Sequence, residues 1–272
     1  MYRIIVLLTL SLSSILAHDP FVGLRFADST SSYILIKPDM HPVQEKISIC
    51  AWVHKMKSGH YPTVLRYNAP SANADIIIRD TSYFNMFQQK YATDNTAPLN
   101  QWHHRCLTWS LASQATKVYY NGKLIKTVTS PSGRRLAMGG SIAIGSGHKT
   151  TTLQATIYPL DPLGGELFKL NVFSRQLTDE EISEMHSSGM CSEFEESLAE
   201  DTFLSWDTLL SDTPLHNVEK FNITECSDHT HQEPTESATT EVTEAAETKT
   251  NSTTDYRHWN ILYSTDFYNK VS

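Results

Sequence analysis

The residues best equipped for chemistry are scattered along the chain, and their spacing decides what they can do. His103 and His104 are adjacent in Gln101-Trp102-His103-His104-Arg105-Cys106-Leu107-Thr108-Trp109-Ser110-Leu111. Neighbours on a strand point to opposite faces, so these two imidazoles do not chelate one metal. His104 falls with Trp102 and Cys106, and His103 with Arg105 and Leu107, so His104 reads as a histidine packed beside a cysteine. Asp179, Glu180 and Glu181 resemble an acid/base set. Yet Thr178-Asp179-Glu180-Glu181 is a capping box, with Thr178 as N-cap and the acids at the positive end of a helix dipole. A sandwich glycosidase needs two carboxylates about 5–10 Å apart, and no strand-like run carries closely alternating ones. No Ser or Cys sits in a nucleophile elbow. The residues name no catalytic group, and the chain reads as a non-enzyme.

The other three cysteines are Cys50, Cys191 and Cys226. Arg3 followed by the apolar run Ile4 to Leu16, ending before His18-Asp19-Pro20, reads as a secretory signal peptide over residues 1–17. Cysteines in an exported chain pair, and these four allow three connectivities. The economical one joins Cys50, in a strand-like run, to Cys106, and Cys191 to Cys226. No later stretch approaches the roughly 20 apolar residues of a membrane helix, so a secreted, extracellular chain without a membrane span is expected.

The net charge of −8 conceals a division. Residues 192–250 hold 15 acids against two lysines, whereas residues 18–191 hold 17 Lys and Arg against 13 acids, a body of about +4. No dense basic run marks a nucleic-acid partner. Residues 227–254 turn to Glu, Thr, Ser and Ala, a composition that buries too little apolar surface to fold, and read as a disordered acidic linker. The aromatic tail 255–272 is too short for a core and reads as the start of an incomplete domain. Asn222-Ile223-Thr224 and Asn251-Ser252-Thr253 are N-glycosylation sequons.

The folded body, 18–226, is a succession of short β-type runs. They lie near residues 33–36, 47–53, 63–67, 75–79, 83–87, 101–111, 117–120, 124–128, 141–145 and 165–173, with a last one at 203–210. Asn121-Gly122 joins two of them as a tight hairpin, because both residues tolerate positive φ. One short helix follows Thr178, with Ile182 and Met185 inward and Gly189 as its stop. Short strands at this spacing predict an all-β two-sheet sandwich.

The order of these parts resembles the pentraxin family, whose fold is a concanavalin-like jelly roll. Its His-x-Cys-x-Ser/Thr-Trp-x-Ser/Thr pattern appears as His104, Cys106, Thr108 and Trp109, with Leu111 in place of the last hydroxyl residue. Ile49-Cys50-Ala51-Trp52-Val53, Asn121-Gly122-Lys123, Gly165-Glu166-Leu167 and Leu204-Ser205-Trp206 follow in the family's order. The likeness covers about Phe21 to Leu210. The second cysteine pair and Ser/Thr-rich stalk are similar to the N-terminal pentraxin domains of adhesion G-protein-coupled receptors.

The resemblance implies paired calcium ions that hold phosphate or carbohydrate ligands. Calcium takes about 6–8 oxygens, several of them carboxylate. The family's acidic cluster falls here on Ser146-Gly147-His148-Lys149, which has no carboxylate. Asn73, Asp75 and Asp161 are the remaining oxygen donors, too few for the paired site. The expectation is a calcium-independent binding or adhesion module for an extracellular glycan or protein. Its alternatives are a calcium-dependent pattern-recognition lectin and an architectural domain at the tip of an adhesion receptor. No coiled-coil heptads or spare cysteine fix an oligomeric state.

Overall fold

The computed structural model describes residues 21–226, apart from 37–44, 57–61, 71–74, 94, 96, 131–132, 138, 148, 152–153 and 159–160; for 149–151 and 154–158 it describes the backbone alone. All of these belong to the first of two units, Met1–Gln232 and Glu233–Ser272. The expected signal peptide, linker and tail, with Asn73 and Asn251, lie outside the described residues.

β-Branched and aromatic runs, broken by turn residues, pair into two antiparallel sheets. The first strands are β1 (Val22–Phe26), β2 (Tyr33–Ile36), β3 (Lys46–Lys55), β4 (Thr63–Asn68), β5 (Ile76–Arg79) and β6 (Tyr83–Met86). Next come β7 (Gln89–Ala92), β8 (Trp102–Ser110), β9 (Ala115–Tyr120), β10 (Lys123–Thr129), β11 (Ser141–Ile144), β12 (Lys149–Thr151) and β13 (Gln154–Tyr158). After β14 (Gly165–Phe173) the chain forms helix α1 (Asp179–Ser187), a 3-10 helix (Phe194–Asp201), β15 (Thr202–Leu204) and helix α2 (Trp206–Asp212). It ends in β16 (Leu215–His216) and β17 (Val218–Asn222). Sheet A runs β10-β9-β8-β3-β14-β1-β17, with β15 beside β14, and sheet B runs β16-β2-β11-β4-β5-β6-β7. Strands β12 and β13 pair separately. This is the jelly-roll sandwich the sequence predicts.

Alternating side chains from both sheets fill the space between them. Leu24, Phe26, Ile49, Leu107 and Trp109 come from sheet A; Ile34, Leu65, Ile78 and Ile144 come from sheet B. A smaller cluster lies on the other side of sheet A, where Tyr119 and Phe173 meet Leu177, Ile182 and Met185 around the Cys50–Cys106 bridge. Helix α1 is fixed there by its capping box: Thr178 Oγ1 accepts from Glu181 N, and a Glu181 oxygen accepts from Thr178 N. Gly189 follows its C-terminus at φ +86°, the left-handed geometry that ends a helix without a Cβ penalty.

The two economical disulfides form, Cys50–Cys106 and Cys191–Cys226. Cys50 and Cys106 are cross-strand partners on β3 and β8. Closing a loop of this length stabilises the fold by about 4 kcal/mol through the unfolded chain.

The run 203–210 departs from its predicted strand. Only Thr202–Leu204 pairs, and α2 begins at Trp206. Ser205 Oγ accepts from Thr208 N as an N-cap, while Asn171 Oδ1 accepts from Trp206 N. Burial of Trp206 and Leu209, three residues apart, then favours the helical period. Among the described residues the body thus has three helical segments where one helix was expected. Strands β1, β7, β12, β13, β16 and β17 are also additions, several of them polar edge or near-edge segments with little apolar alternation.

Candidate functional site

Strand β8 carries the residues that the sequence singles out, and both its faces are closed. On the outer face of sheet A, His104 Nε2 lies 3.5 Å from Cys106 Sγ. Its ring packs against Trp52 and stacks on His186 of α1. Burial, then the charges of His186 and His103, push the His104 pKa down to about 3. Thr108 accepts from Gln176 Nε2, and Trp109 sits edge-on to Phe87 in the core. Among the described residues, the one group of three metal-capable side chains is Cys50, His104 and Cys106, whose sulfurs are bonded to each other. The Asn121-Gly122 turn completes this face: Asn121 Oδ1 accepts from His104 N, and a Cβ on Gly122 would fall 2.9 Å from His186 Cβ.

On the inner face, His103 and Arg105 both reach Asp80 at the β5–β6 turn. Asp80 Oδ1 is 2.5 Å from His103 Nε2 and 3.0 Å from Arg105 Nε. Burial alone would raise the Asp80 pKa, but the His103 hydrogen bond and the Arg105 charge outweigh it and hold it down. All three are buried, so this triad ties the sheets together and offers no ligand a surface.

The outer face of sheet B is closed over Arg66 and Ile77 and becomes more exposed toward Arg79 and Lys90. Leu65, Tyr67, Ile76 and Ile78 point into the core, so the alternate residues Arg66, Ile77 and Arg79 face outward. Asn85 and Tyr83 on β6 and Lys90 on β7 continue that face. Arg66 donates from Nε to Asn68 Oδ1 and from Nη1 to Gly147 O. Arg79 donates from Nη1 to Asn85 Oδ1 at 2.6 Å and has Asp161 Oδ2 at 3.7 Å. Lys90 Nζ sits 3.9 Å above the Tyr83 ring. Burial, then repulsion from Arg79, lower the Arg66 pKa, and Asp161 opposes both. These cations escaped the sequence reading because pairing of β4 with β5, not local spacing, brings them together. The outward alternation of Arg66 within Thr-Val-Leu-Arg-Tyr was the available signal.

Asp75 and Asp161 do not converge. Asp75 precedes β5, next to Phe87, whose N donates to its carbonyl. Asp161 meets Arg79 at the far end of the same strand, about 13 Å along, whereas ligands of one calcium ion lie 2.3–2.6 Å from it. Burial raises the Asp75 pKa, and Arg134 and Gln88 pull it down less strongly. The helix acids are engaged as well: Asp179 by Lys117 and Tyr119, Glu181 by Arg175 and the cap. Asn222 is exposed at the end of β17, the outermost strand of sheet A.

Two antiparallel sheets with a helix over the disulfide define a pentraxin-like jelly roll. The sequence matches the model of the Concanavalin A-like lectin/glucanases superfamily over residues 28–183, more than half its length, and the chain belongs to that superfamily. Among solved structures, the heptameric SAP-like pentraxin from Limulus polyphemus aligns with a TM-score of 0.56 at 17% identity, covering 77% of this chain and 99% of the pentraxin. A putative carbohydrate binding protein from Bacteroides ovatus ATCC 8483 aligns at 0.53 and 12% identity, over 75% of this chain and 60% of that protein. The extracellular region of zebrafish Gpr126/Adgrg6 aligns at 0.47 and 15% identity, over 61% and 23%. At these identities the likeness concerns the fold. A search of curated proteins finds no match.

Proposed function

We propose that the chain is an extracellular, non-catalytic recognition module that binds an anionic glycan through the outer face of sheet B, without calcium as a bridge. The observation that carries this reading is the placing of Arg79 and Lys90 on the outward side of β5 and β7, with Asn85 and Tyr83 between them on β6 and the buried Arg66 of β4 repelling Arg79. Holding two guanidinium groups against each other on a partly dry face costs free energy. A sulfate or carboxylate seated beside Arg79 and Lys90 offsets that cost, and guanidinium suits bidentate contact with such groups.

Two disulfides and the exported character of residues 1–17 support the extracellular placement. Residues 18–226 act as the binding body and 227–254 as a stalk. The superfamily and its carbohydrate-binding neighbour favour a glycan over a protein partner.

Immobilised heparin tests the reading. The intact chain elutes above physiological salt, and Arg79→Gln and Lys90→Gln each move elution to lower salt. Elution of the unmodified chain below physiological salt contradicts a specific site.

A further inference from the structure

The geometry points to a zinc site that is closed while the Cys50–Cys106 bridge is intact and opens when it is reduced. The two freed thiolates and His104 then take one Zn²⁺, with His186 of α1 for the fourth position. The Sγ atoms of Cys50 and Cys106 and a ring nitrogen of His104 all lie within 4.8 Å of one another. Zn–S bonds of about 2.3 Å and Zn–N bonds of about 2.0–2.1 Å put the sulfur and nitrogen ligands of a tetrahedral ion about 3.6 Å apart. His104 Nε2 already stands 3.5 Å from Cys106 Sγ. The two sulfurs, once unbonded, need only part to about 3.8 Å, the spacing of two thiolates on one zinc. The strands supply this set by register alone. His104 and Cys106 lie two residues apart on one face of β8, and Cys50 is the direct partner of Cys106 on β3.

Hydrogen bonding does not account for the placement of the His104 ring. Its Nε2 faces sulfur, and its Nδ1 has no partner among the described residues, although the residue is only 1% exposed. A buried polar side chain left in this way costs free energy and calls for an explanation. His186 stacks on the ring at 6.1 Å, and its own Nδ1 also lacks a partner. Two imidazoles and two sulfurs thus meet between sheet A and α1. Tyr119, Phe173, Leu177, Ile182 and Met185 surround the bridge and keep it dry. A bare cation or a pair of bare thiolates is costly in such surroundings. Two thiolates cancel the charge of Zn²⁺, so the complete set is neutral. Thiolate with imidazole also suits zinc rather than calcium or magnesium.

The exchange balances with a dithiol as reductant. The dithiol gives two electrons to the S–S bond, becomes a disulfide itself and releases its two protons, and the two cysteine thiolates bind Zn²⁺. Strands β3 and β8 stay joined, by a metal in place of a covalent bond. Because metal binding of this kind adds to folding free energy, a chain whose cysteines are not yet oxidised keeps the anchor of sheet A.

This site is independent of the anion-binding reading of sheet B. Its test uses the intact chain, reduced with a water-soluble phosphine in urea and refolded under nitrogen, with Co²⁺ as the spectroscopic probe. The expected result is one equivalent of Co²⁺ bound with the strong visible bands of a tetrahedral thiolate site. Zn²⁺ displaces it, and the oxidised chain shows no such bands. His104→Gln weakens binding tenfold or more, and His186→Gln, whose place water can take, weakens it less. Serine at both Cys191 and Cys226 leaves the bands, whereas Cys50→Ser removes them. Zinc also raises the melting temperature of the reduced, otherwise unaltered chain, a readout that does not depend on how any variant folds. The proposal is overturned if the reduced chain shows no tetrahedral bands or if His104→Gln binds Co²⁺ as tightly as the unaltered chain. It is also overturned if Cys50→Ser keeps the bands, or if zinc leaves the melting of the reduced chain unchanged.

Discussion

The two faces of β8 place adjacent histidines in opposite surroundings. His104 lies against a disulfide and two aromatic rings under α1, and burial strips it of charge. His103, one residue earlier, joins Arg105 on a carboxylate shared from the other sheet. The outer face holds a helix to sheet A by apolar packing, and the inner face holds sheet B to sheet A by a buried polar triad. Neither leaves a group for a ligand. The residues that make the family recognisable are therefore scaffold, and the proposed recognition falls to side chains on the outer face of sheet B.

The largest expected effect comes from the inner face. Asp80→Asn leaves Arg105 buried without its counter-charge, which costs about 3–5 kcal/mol; urea unfolding at pH 7 measures it. A loss below about 1 kcal/mol would mean that water or another group already compensates Arg105, and the contrast between the faces would fade.

The outer face is read by pH. The unfolded imidazole of His104 binds its proton near 6.5, whereas the folded one does so only near about 3. Below pH 6.5 the unfolded state thus holds more protons, and stability falls with pH by up to about 1.4 kcal/mol per unit until the folded value is reached. Between pH 7 and pH 5 this amounts to about 2 kcal/mol, and His104→Gln should remove that part of the slope. An unchanged slope in the variant would show that His104 titrates normally in the folded protein. The smallest effect is at the helix that closes this face. Thr178→Ala removes the cap and costs about 1 kcal/mol in the same unfolding assay, with heparin retention unaltered; altered retention would bring α1 into the binding surface.

Local chemistry made much of the scaffold legible. The capping box at Thr178, the Asn121-Gly122 turn and the strand around Cys106 depend on neighbours within a few residues, and each forms as the sequence predicts. Residues 203–210 do not, because Asn171, far away on β14, completes the start of α2. The proposed ligand face was less legible still. Arg66 and Arg79 meet through strand register, and a body charge of about +4 averages their alignment away. The resemblance directed attention to Asp75 and Asp161, and β5 keeps them at opposite ends.

The central claim is that sheet B recognises an anion with its own cations. Calorimetric titration of a heparin-derived tetrasaccharide into the intact chain, with calcium and again with a chelator, tests it most directly. The account predicts the same affinity in both conditions and a loss of tenfold or more in Arg79→Gln. Binding that disappears with the chelator, or that survives unchanged in Arg79→Gln, would contradict it.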